Sequence, residues 1–284
     1  MRLEMRMKKD NKNVSSILLI NDMAGYGKVS LSVMFPILSH MRYQTFNLPT
    51  ALVSNTLDYG KFDILDTTEY MKNTIRVWDE LGFTFDAICT GLIVSEEQAK
   101  IVSEYCALQK KERGTPIFVD PVMGDDGKLY NGVTEKTVSY MQKLCSVADV
   151  IVPNITEACF IAGVPYKEEY TDEDIDKMVR SMRDMGAKSV VITSCNLNGT
   201  MCTVVNEGDA DGWTRLDYVE IPVMFPGTGD IFSALVLGRY MRSGDLTGAV
   251  RTSMTNLEHI IAANVGNEDK YKGIPIEHYL DEVK

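Results

Sequence analysis

The sequence contains only three histidines, His40, His259 and His278, and they are widely separated along the chain. None of the six cysteines forms a Cys-x-x-Cys pair, and no histidine lies at a zinc-type spacing from a cysteine. These absences argue against a zinc site and against a secreted fold held together by disulfides. We therefore expect reduced cysteines in the core of a cytoplasmic protein.

Long apolar runs and excess positive charge are also missing. No run approaches the ~20 residues that a membrane-spanning helix needs. Residues 1–14 are polar and charged, without the apolar segment of a signal peptide, so we expect a flexible tail there. The chain carries 29 Lys and Arg against 40 Asp and Glu, a net charge of −11. Such an acidic chain repels nucleic acid and anionic membranes, and we expect neither as a partner.

What is present is an alternation of strand and helix patterns in a chain of 284 residues that is 45% hydrophobic. Strand patterns occupy 15–22, 46–54, 85–91, 115–119, 147–154 and 187–194, and helical patterns occupy 29–41, 64–82, 95–114, 155–163 and 171–186. A hairpin over 199–223, two helices and a final closing helix complete the pattern. This order predicts a three-layer α/β/α sandwich with a mostly parallel central sheet. No linker interrupts residues 15–284, which we expect to form a single domain.

Polar residues follow four of the predicted strands. They are Asn21 and Asp22, then Asp120, then Asn154, then Thr193 and Ser194. A single polar residue at a strand end is commonly a helix cap. In an open α/β sheet, however, ligands bind beyond the carboxyl ends of the strands, so four such ends predict a shared crevice.

Two familiar nucleotide-binding motifs are not satisfied. In "AGYGKVS", Val29 follows Lys28 where a P-loop needs Ser or Thr, and Asp22 occupies the position of its first glycine. The dinucleotide-binding pattern Gly-x-Gly-x-x-Gly fails at Ser30 here and at Phe232 in "GTGDIF". A Walker-type NTPase and a dinucleotide-binding Rossmann domain are therefore not supported.

The segment "FPGTGD" places two glycines and an acid at the start of a helical pattern. Gly227, Thr228 and Gly229 would expose backbone N–H groups to an anion, and Asp230 would lie in the first helical turn. A simple capped helix with a dipole-favoured acid is the alternative. The double glycine favours a turn that holds a phosphoryl group while Asp230 takes a proton. Because the helix dipole stabilises the carboxylate, we expect Asp230 to be a weak base.

A phosphoryl transfer also requires a metal with oxygen ligands. The segment "DPVMGD" offers Asp120 and Asp125, and "NITE" offers Asn154 and Glu157. The latter two are three residues apart, which brings them to one face of a helix. Glu157 could equally be a solvated acid in the first helical turn.

Taken together, these segments resemble the ribokinase-like superfamily and, within it, the pyridoxal kinase family. "PGTGD" matches the closing signature of the superfamily, "DPVMGDDGKLY" and "VIVPNITEA" match the vitamin B6 kinase pattern, and "VVITS" matches its nucleotide-side strand. "SNTLDYG" partly matches its substrate-side segment. The likeness extends from residue 15 to the helix after Asp230.

The resemblance implies ATP-dependent phosphorylation of the 5′-hydroxyl of a vitamin B6 vitamer, in the salvage of pyridoxal 5′-phosphate. Asp230 would be the catalytic base, and Gly227, Thr228 and Gly229 would form the anion hole. The family also implies Mg²⁺, a monovalent cation such as K⁺, and a homodimer.

It assigns further residues to the two ligands. The nucleotide and metal side would comprise Thr193, Ser194, Asn154, Asp120 and Tyr130, with Asp125 and Glu157 near Mg²⁺. The substrate side would comprise Asp22, Gly25, Ser54 and Asn55.

Two departures from the family pattern bear on specificity. Asp22 stands where many pyridoxal kinases have a serine facing the pyridine ring, and Leu57 stands where they have a threonine. A carboxylate beside a heterocycle favours a cation, so Asp22 could pair with a ring N–H⁺ or with the aminomethyl group of pyridoxamine. The alternative is that Asp22 caps a helix or binds backbone.

Two other functions stay open. A kinase of hydroxymethylpyrimidine, the thiamin precursor, shares the superfamily, but such enzymes usually have an "SGGAG"-like opening where this chain has "NDMAGYG". A non-catalytic protein that binds a vitamer is the second, although Asp230 and the glycines are all present. A sugar kinase is disfavoured because the chain has no two-strand lid insertion near its beginning.

Overall fold

A computed structural model of the chain describes residues 15–130 and 133–283. The predicted tail at 1–14 lies outside the described residues, as do residues 131–132, which directly follow Tyr130. The strands are β1 (Ser16–Ala24), β2 (Gln44–Val53), β3 (Ile64–Asp66), β4 (Ala87–Thr90), β5 (Ile117–Val119), β6 (Gly124–Asp125), β7 (Lys128–Leu129), β8 (Val150–Ile151), β9 (Ser189–Leu197), β10 (Thr200–Asn206) and β11 (Thr214–Asp217).

The helices are α1 (Leu31–His40), α2 (Thr68–Leu81), α3 (Glu96–Arg113), α4 (Glu135–Cys145), α5 (Ile155–Ala162), α6 (Asp172–Met185), α7 (Thr228–Ser243) and α8 (Leu246–Asn264). Short 3₁₀ turns lie at Leu57–Tyr59, Lys270–Lys272, Ile276–His278 and Leu280–Glu282. In the described part of the chain, no helix is both long enough and apolar enough to span a bilayer.

The large sheet has the strand order β11-β10-β9-β8-β5-β4-β1-β2-β3. Strands β1, β2, β4, β5, β8 and β9 run parallel, while β3, β10 and β11 pair antiparallel at the two edges. From β1 the chain first moves outward to β2 and β3 and then returns to the other side of β1 with β4. The carboxyl ends of β1 and β4 therefore flank a topological switch point, where ligands bind in sheets of this kind.

Side-chain alternation along β1 builds the two halves of the core. Leu18 and Ile20 join one buried cluster, with α2 to α6, whereas Ile17 and Leu19 join the cluster that contains α1, α7 and α8. A central strand that is covered on both faces reads as a continuous apolar run because each face needs its own apolar side chains. The predicted three-layer α/β/α sandwich with a mostly parallel sheet is confirmed.

Local capping explains where most helices begin. The hydroxyl of Ser95 accepts from the Gln98 N–H at 3.2 Å, and α3 ends at Gly114, as the sequence predicted. The predicted start of α2 at residue 64 is wrong. Residues Ile64–Asp66 instead form β3, and the Asp66 carboxylate accepts from the Thr68 N–H at 2.7 Å. That acceptor sets the helix start at Thr68.

Two other elements differ from the prediction. The strand expected to end at Ser194 continues to Leu197, with Ser194 at φ 57° where the pairing with β10 changes register. The bulge interrupts the apolar alternation that marks a strand, so the sequence pattern stopped early. The predicted closing helix is also wrong: in the described residues after α8 there are only 3₁₀ turns, and Gly273 and Pro275 separate the first two.

Candidate active site

Three acidic residues from distant parts of the chain meet at the switch point. Asp22 lies two residues before the end of β1, Asp120 follows β5, and Asp230 lies in the first turn of α7. The negative charges of Asp22 and Asp120 both act on Asp230. The structure thus brings together three of the residues that the strand ends and the glycine turn had predicted.

The entrance of α7 is formed by the predicted glycine turn. Gly227 is the N-cap residue at φ 85°, and no side chain caps the helix. The N–H groups of the first turn therefore lack a side-chain acceptor and remain suited to an anion. A β-carbon on Gly227 would lie 2.2 Å from the carbonyl oxygen of Lys28, so this position excludes any side chain.

Asp230 is held by two donors that precede it by about two hundred residues. Its Oδ2 accepts from the Ser30 N–H at 2.8 Å, and its Oδ1 accepts from the amide of Asn21 at 3.3 Å. Burial, followed by the charges of Asp120 and Asp22, raises the pKa of Asp230 to about 7. The expectation of a weak base is therefore wrong, because burial outweighs the helix dipole and the two hydrogen bonds.

Asp22 is a buried carboxylate, 5% exposed, whose Oδ1 accepts from the Ser30 hydroxyl. It does not cap α1, whose N-cap residue is Ser30 itself. Burial raises the pKa of Asp22, although the Ser30 hydroxyl opposes this effect. Ser30 consequently connects Asp22 and Asp230, one through its side chain and the other through its backbone.

Asp120 also lies close to Glu157, and the two form an acidic pair. Burial raises the pKa of Asp120 to about 6, even though its Oδ2 accepts from the Ser233 hydroxyl at 2.8 Å. Burial and the charge of Asp120 raise the pKa of Glu157. Neither acid forms an ion pair with a base in the described residues.

Glu157 and Asn154 form the capping box of α5. Glu157 accepts from the N–H groups of Met123 and Asn154, both at 2.9 Å, while Asn154 accepts from the Glu157 N–H at 2.9 Å. The Asn154 amide also donates to the Gly124 carbonyl at 2.8 Å. Both side chains therefore hold the loop after β5 against α5, which fits action on a metal through water rather than by direct contact.

Across residues 15–130 and 133–283, no three His, Cys, Asp or Glu side chains converge into a preformed metal cage. Asp125 is exposed, and its Oδ1 accepts from the neighbouring Asp126 N–H at 2.9 Å. Asp120 and Glu157 have no basic partner in the part of the chain that the structure describes, and this donor set suits Mg²⁺, which prefers oxygen ligands and retains several waters. The residues present fit the ion.

The predicted nucleotide residues lie along the neighbouring strand ends. Thr193 is half-buried and bridges to Asn154 in parallel fashion, and Ser194 is exposed. Tyr130 is also exposed, and its N–H donates to the Met123 carbonyl at 3.0 Å. Thr193 therefore adjoins the N-cap residue of α5, and contact of these three residues with ATP stays a prediction.

The predicted substrate-side residues close a loop against β2. The Gly25 N–H donates to Val53 at 2.7 Å. Ser54 donates to the Asn55 side chain at 2.7 Å, and Asn55 donates to the Lys61 carbonyl at 2.9 Å. These bonds give Ser54 and Asn55 a structural use, and substrate contact by them stays a prediction.

Sequence reasoning missed three residues with contacts in this region: two that donate hydrogen bonds to the acids and one that binds a neighbouring loop. Ser30 was named only because it stands where a dinucleotide-binding motif needs its third glycine, and no local pattern indicates its contacts with the acids. Ser233 lies one helical turn after Asp230, a spacing that could have suggested a shared face. Thr56 is buried, and its hydroxyl donates to the Tyr271 carbonyl at 2.6 Å, a contact without any sequence signal.

In the comparison with known proteins, both the matching family and the similar proteins are named as kinases. The sequence profile of the phosphomethylpyrimidine kinase family matches residues 38–274. Pyridoxal kinase of Dictyostelium discoideum is 31% identical over 64% of this chain, and the chain spans 63% of that enzyme's length.

Solved structures are similar over almost the whole chain. A candidate phosphomethylpyrimidine kinase of Bacteroides thetaiotaomicron, crystallised with pyridoxal, is 34% identical with a TM-score of 0.90, covering 95% of this chain and 96% of that one. Pyridoxal kinase of Lactobacillus plantarum is 26% identical with a TM-score of 0.86, covering 95% and 97%. This chain therefore belongs to the phosphomethylpyrimidine kinase family, and its predicted resemblance to the pyridoxal kinases is confirmed.

Proposed function

We propose that this protein is an ATP-dependent kinase that phosphorylates the 5′-hydroxyl of a vitamin B6 vitamer, yielding the 5′-phosphate in pyridoxal 5′-phosphate salvage. The observation that carries the proposal is Asp230, a carboxylate with a pKa raised to about 7 beside the uncapped entrance of α7. The similarity to named pyridoxal kinases, and to a structure in a form with pyridoxal, supports the choice of acceptor.

The site residues divide the chemistry between them. A base works best when its pKa lies near the working pH, and Asp230 meets that condition. The Ser30 N–H and the Asn21 amide fix the carboxylate, so that it can orient the acceptor hydroxyl and take its proton. The N–H groups of the α7 entrance stabilise the charge on the phosphoryl group in transit.

Asp120 and Glu157 would hold Mg²⁺, partly through water, with Asp125 nearby. When bound, the ion supplies positive charge for the β- and γ-phosphate oxygens. Thr193, Ser194 and Tyr130 would contact ATP from the neighbouring strand end and loop. A monovalent cation such as K⁺ is part of the same proposal.

Asp22 supplies the basis for a choice among vitamers. It is buried and close to Asp230, and among the described residues its only hydrogen bond from another residue's side chain comes from a neutral hydroxyl. A ligand cation would therefore find an uncompensated carboxylate, and a charge-assisted contact contributes roughly 1.5–3 kcal/mol. We propose a preference for pyridoxamine, tested by the ratio of kcat/KM for pyridoxamine over pyridoxal in Asp22→Ser. An unchanged ratio would reject the preference.

The second candidate is a hydroxymethylpyrimidine kinase, which the name of the matching family favours. Its acceptor is also a flat, amine-bearing ring with a hydroxymethyl group, so both acceptors suit the same acids. A non-catalytic vitamer-binding protein is disfavoured by the complete Asp230 site.

One assay separates these functions. ATP consumption is measured with pyridoxal, pyridoxamine, pyridoxine and hydroxymethylpyrimidine in parallel, with Asp230→Asn as the inactive control. Turnover of B6 vitamers alone supports the proposal, and turnover of the pyrimidine alone identifies the second candidate. Vitamer binding without ATP consumption would identify the binding protein.

A homodimer in a reducing, cytoplasmic compartment completes the proposal. The edge strand β3 exposes Ile64 and Leu65, and the adjoining α2 exposes Tyr70 and Leu81. In the proposed homodimer, a second copy of this chain covers this exposed apolar edge. All six cysteines are buried free thiols, which suits a reducing environment.

A further inference from the structure

A short segment near the end of the chain contacts both sides of the proposed active site. The backbone carbonyl of Lys272 accepts from the Lys28 N–H at 2.8 Å. The carbonyl of Tyr271 accepts from the hydroxyl of Thr56, which is 3% exposed, at 2.6 Å. We call residues 269–273 the C-terminal strap, since they join the loop after β1 to the loop after β2.

Two glycines let the strap approach the phosphate side as well. A β-carbon on Gly273 would lie 2.8 Å from the Lys28 carbonyl oxygen and 3.1 Å from that of Pro226. The same Lys28 oxygen lies 2.2 Å from the position of a β-carbon on Gly227. The loop after β1, the α7 entrance and the strap are therefore packed backbone against backbone at Lys28.

Aromatic rings close the outer side of this junction. Tyr59 lies 6.0 Å from Tyr26 and 5.6 Å from Tyr271, measured between ring centroids. The Tyr59 hydroxyl donates to the Asp269 carboxylate at 2.6 Å, and the Lys272 ammonium lies 5.4 Å from the Tyr26 ring centroid. The strap is thus anchored by side chains as well as by its backbone.

The strap reaches the proposed catalytic base through two residues of the chain, from Lys28 to Ser30. Ser30 follows Lys28 by two residues and donates its N–H to Asp230 and its hydroxyl to Asp22. Its backbone is held at φ 50°, a conformation that residues other than glycine rarely adopt. Such a conformation persists only where surrounding contacts impose it, and the strap supplies those at Lys28.

We infer that the C-terminal strap positions Ser30 against Asp230, with Gly273 and Thr56 as positioning residues for the transfer step. The inference rests on the proposed function, in which Asp230 orients the acceptor hydroxyl. Loss of the strap contact moves Lys28, and with it the donor that fixes the carboxylate. A displacement of about 1 Å at such a donor can lower turnover about a hundredfold.

The first test compares Gly273→Ala with Gly199→Ala. Both glycines have a positive φ, 78° and 76°, but nothing lies within 4 Å of a β-carbon on Gly199, in the β9–β10 hairpin. The two glycines therefore share a positive φ, although Gly273 also has a ψ of −173°, and only Gly273→Ala places a β-carbon against Lys28. We expect Gly273→Ala to lower kcat at least about tenfold more than Gly199→Ala, with ADP affinity unchanged.

The second test uses a milder pair in case Gly273→Ala fails to fold. Thr56→Val removes the hydroxyl that binds the strap, and Thr115→Val removes an equally buried hydroxyl that donates to Phe85 at 3.1 Å, remote from the site. We expect Thr56→Val alone to lower kcat, again without a change in ADP affinity.

Amide hydrogen exchange gives a readout that needs no substrate. We expect faster exchange at Lys28 and Ser30 in Gly273→Ala and Thr56→Val than in their controls. Unchanged exchange, or faster exchange with kcat equal to the controls, would overturn the inference. If the wild-type protein phosphorylates no acceptor, the proposed function fails, whereas the exchange comparison still decides whether the strap holds Ser30.

Discussion

Replacing Asp230 with asparagine is expected to stabilise the ligand-free protein and to abolish its turnover. Burial raises the pKa of Asp230 from 3.8 to about 7. Between these two values the folded protein keeps a proton that the unfolded chain has lost, so stability falls as pH rises through this window and stays reduced above it. Asparagine cannot ionise and removes that dependence.

The magnitude follows from the two pKa values. At 1.36 kcal/mol per unit, the loss grows by about 2–3 kcal/mol between about pH 5 and about pH 8. For a chain of this size, 1 kcal/mol corresponds to roughly 2–4 °C in Tm, so the advantage of Asp230→Asn grows by about 4–12 °C over that range. Turnover falls by orders of magnitude because the proton acceptor is lost.

Thermal unfolding is measured without Mg²⁺ or nucleotide, so that no ligand shifts the titration. Asp149→Asn is a control of opposite sign. Burial alone would raise the pKa of Asp149, but hydrogen bonds from Lys188, the Ile117 N–H and Lys110 lower it. Its removal should destabilise the protein at neutral pH, with a loss that fades as pH falls through that lowered pKa. Equal Tm values for Asp230→Asn and wild type at about pH 8, or a pH-independent gain, would refute the argument that partial burial raises the pKa of Asp230.

Three other outcomes are expected. In the wild-type enzyme, kcat/KM for the acceptor falls as pH drops below about 7, because Asp230 becomes protonated; a flat profile in steady-state assays down to about pH 5 would exclude it as the base. Ser233→Ala removes the hydroxyl donor to Asp120 and should raise the Mg²⁺ concentration for half-maximal activity about 2–10-fold. Ser243→Ala, at the outer end of α7, is the control. A Mg²⁺ titration of Ser233→Ala that matches this control would contradict the expectation. Leu65→Lys should convert a dimer into a monomer in light scattering without unfolding it, and an unchanged mass would locate the interface elsewhere.

The site could be predicted from the sequence where one local pattern carried the signal. The polar ends of β1 and β5 predicted a shared crevice for Asp22 and Asp120, and the glycine turn before α7 separately marked Asp230. Parallel strands place their carboxyl ends at the same edge, so the prediction needed only the strand pattern. A helix cap was a weighed alternative for a polar residue at a strand end, and Asn154 is the N-cap residue of α5. The alternative of a solvated Glu157 is wrong, because that side chain is buried.

Other features could not be predicted from short stretches of sequence. The bulge at Ser194 and the chain end after α8 depend on pairing with β10 and on packing against α1, and neither leaves a periodic pattern. The strength of Asp230 as a base was misjudged for the same reason. The helix dipole is a local property, whereas burial is set by the elements that surround the carboxylate.

Hydrophobic periodicity, helix caps and turn residues act over a few positions, and by themselves they determined the layered architecture and the edge of the sheet that carries the site. The tertiary structure alone decided which donors reach Asp230 and which donor holds the strap: Asn21 and Ser30 contact Asp230 across 209 and 200 residues, and Thr56 contacts Tyr271 across 215. Contacts at such separations depend on how the sheet and its loops close in space, and no short sequence pattern encodes them.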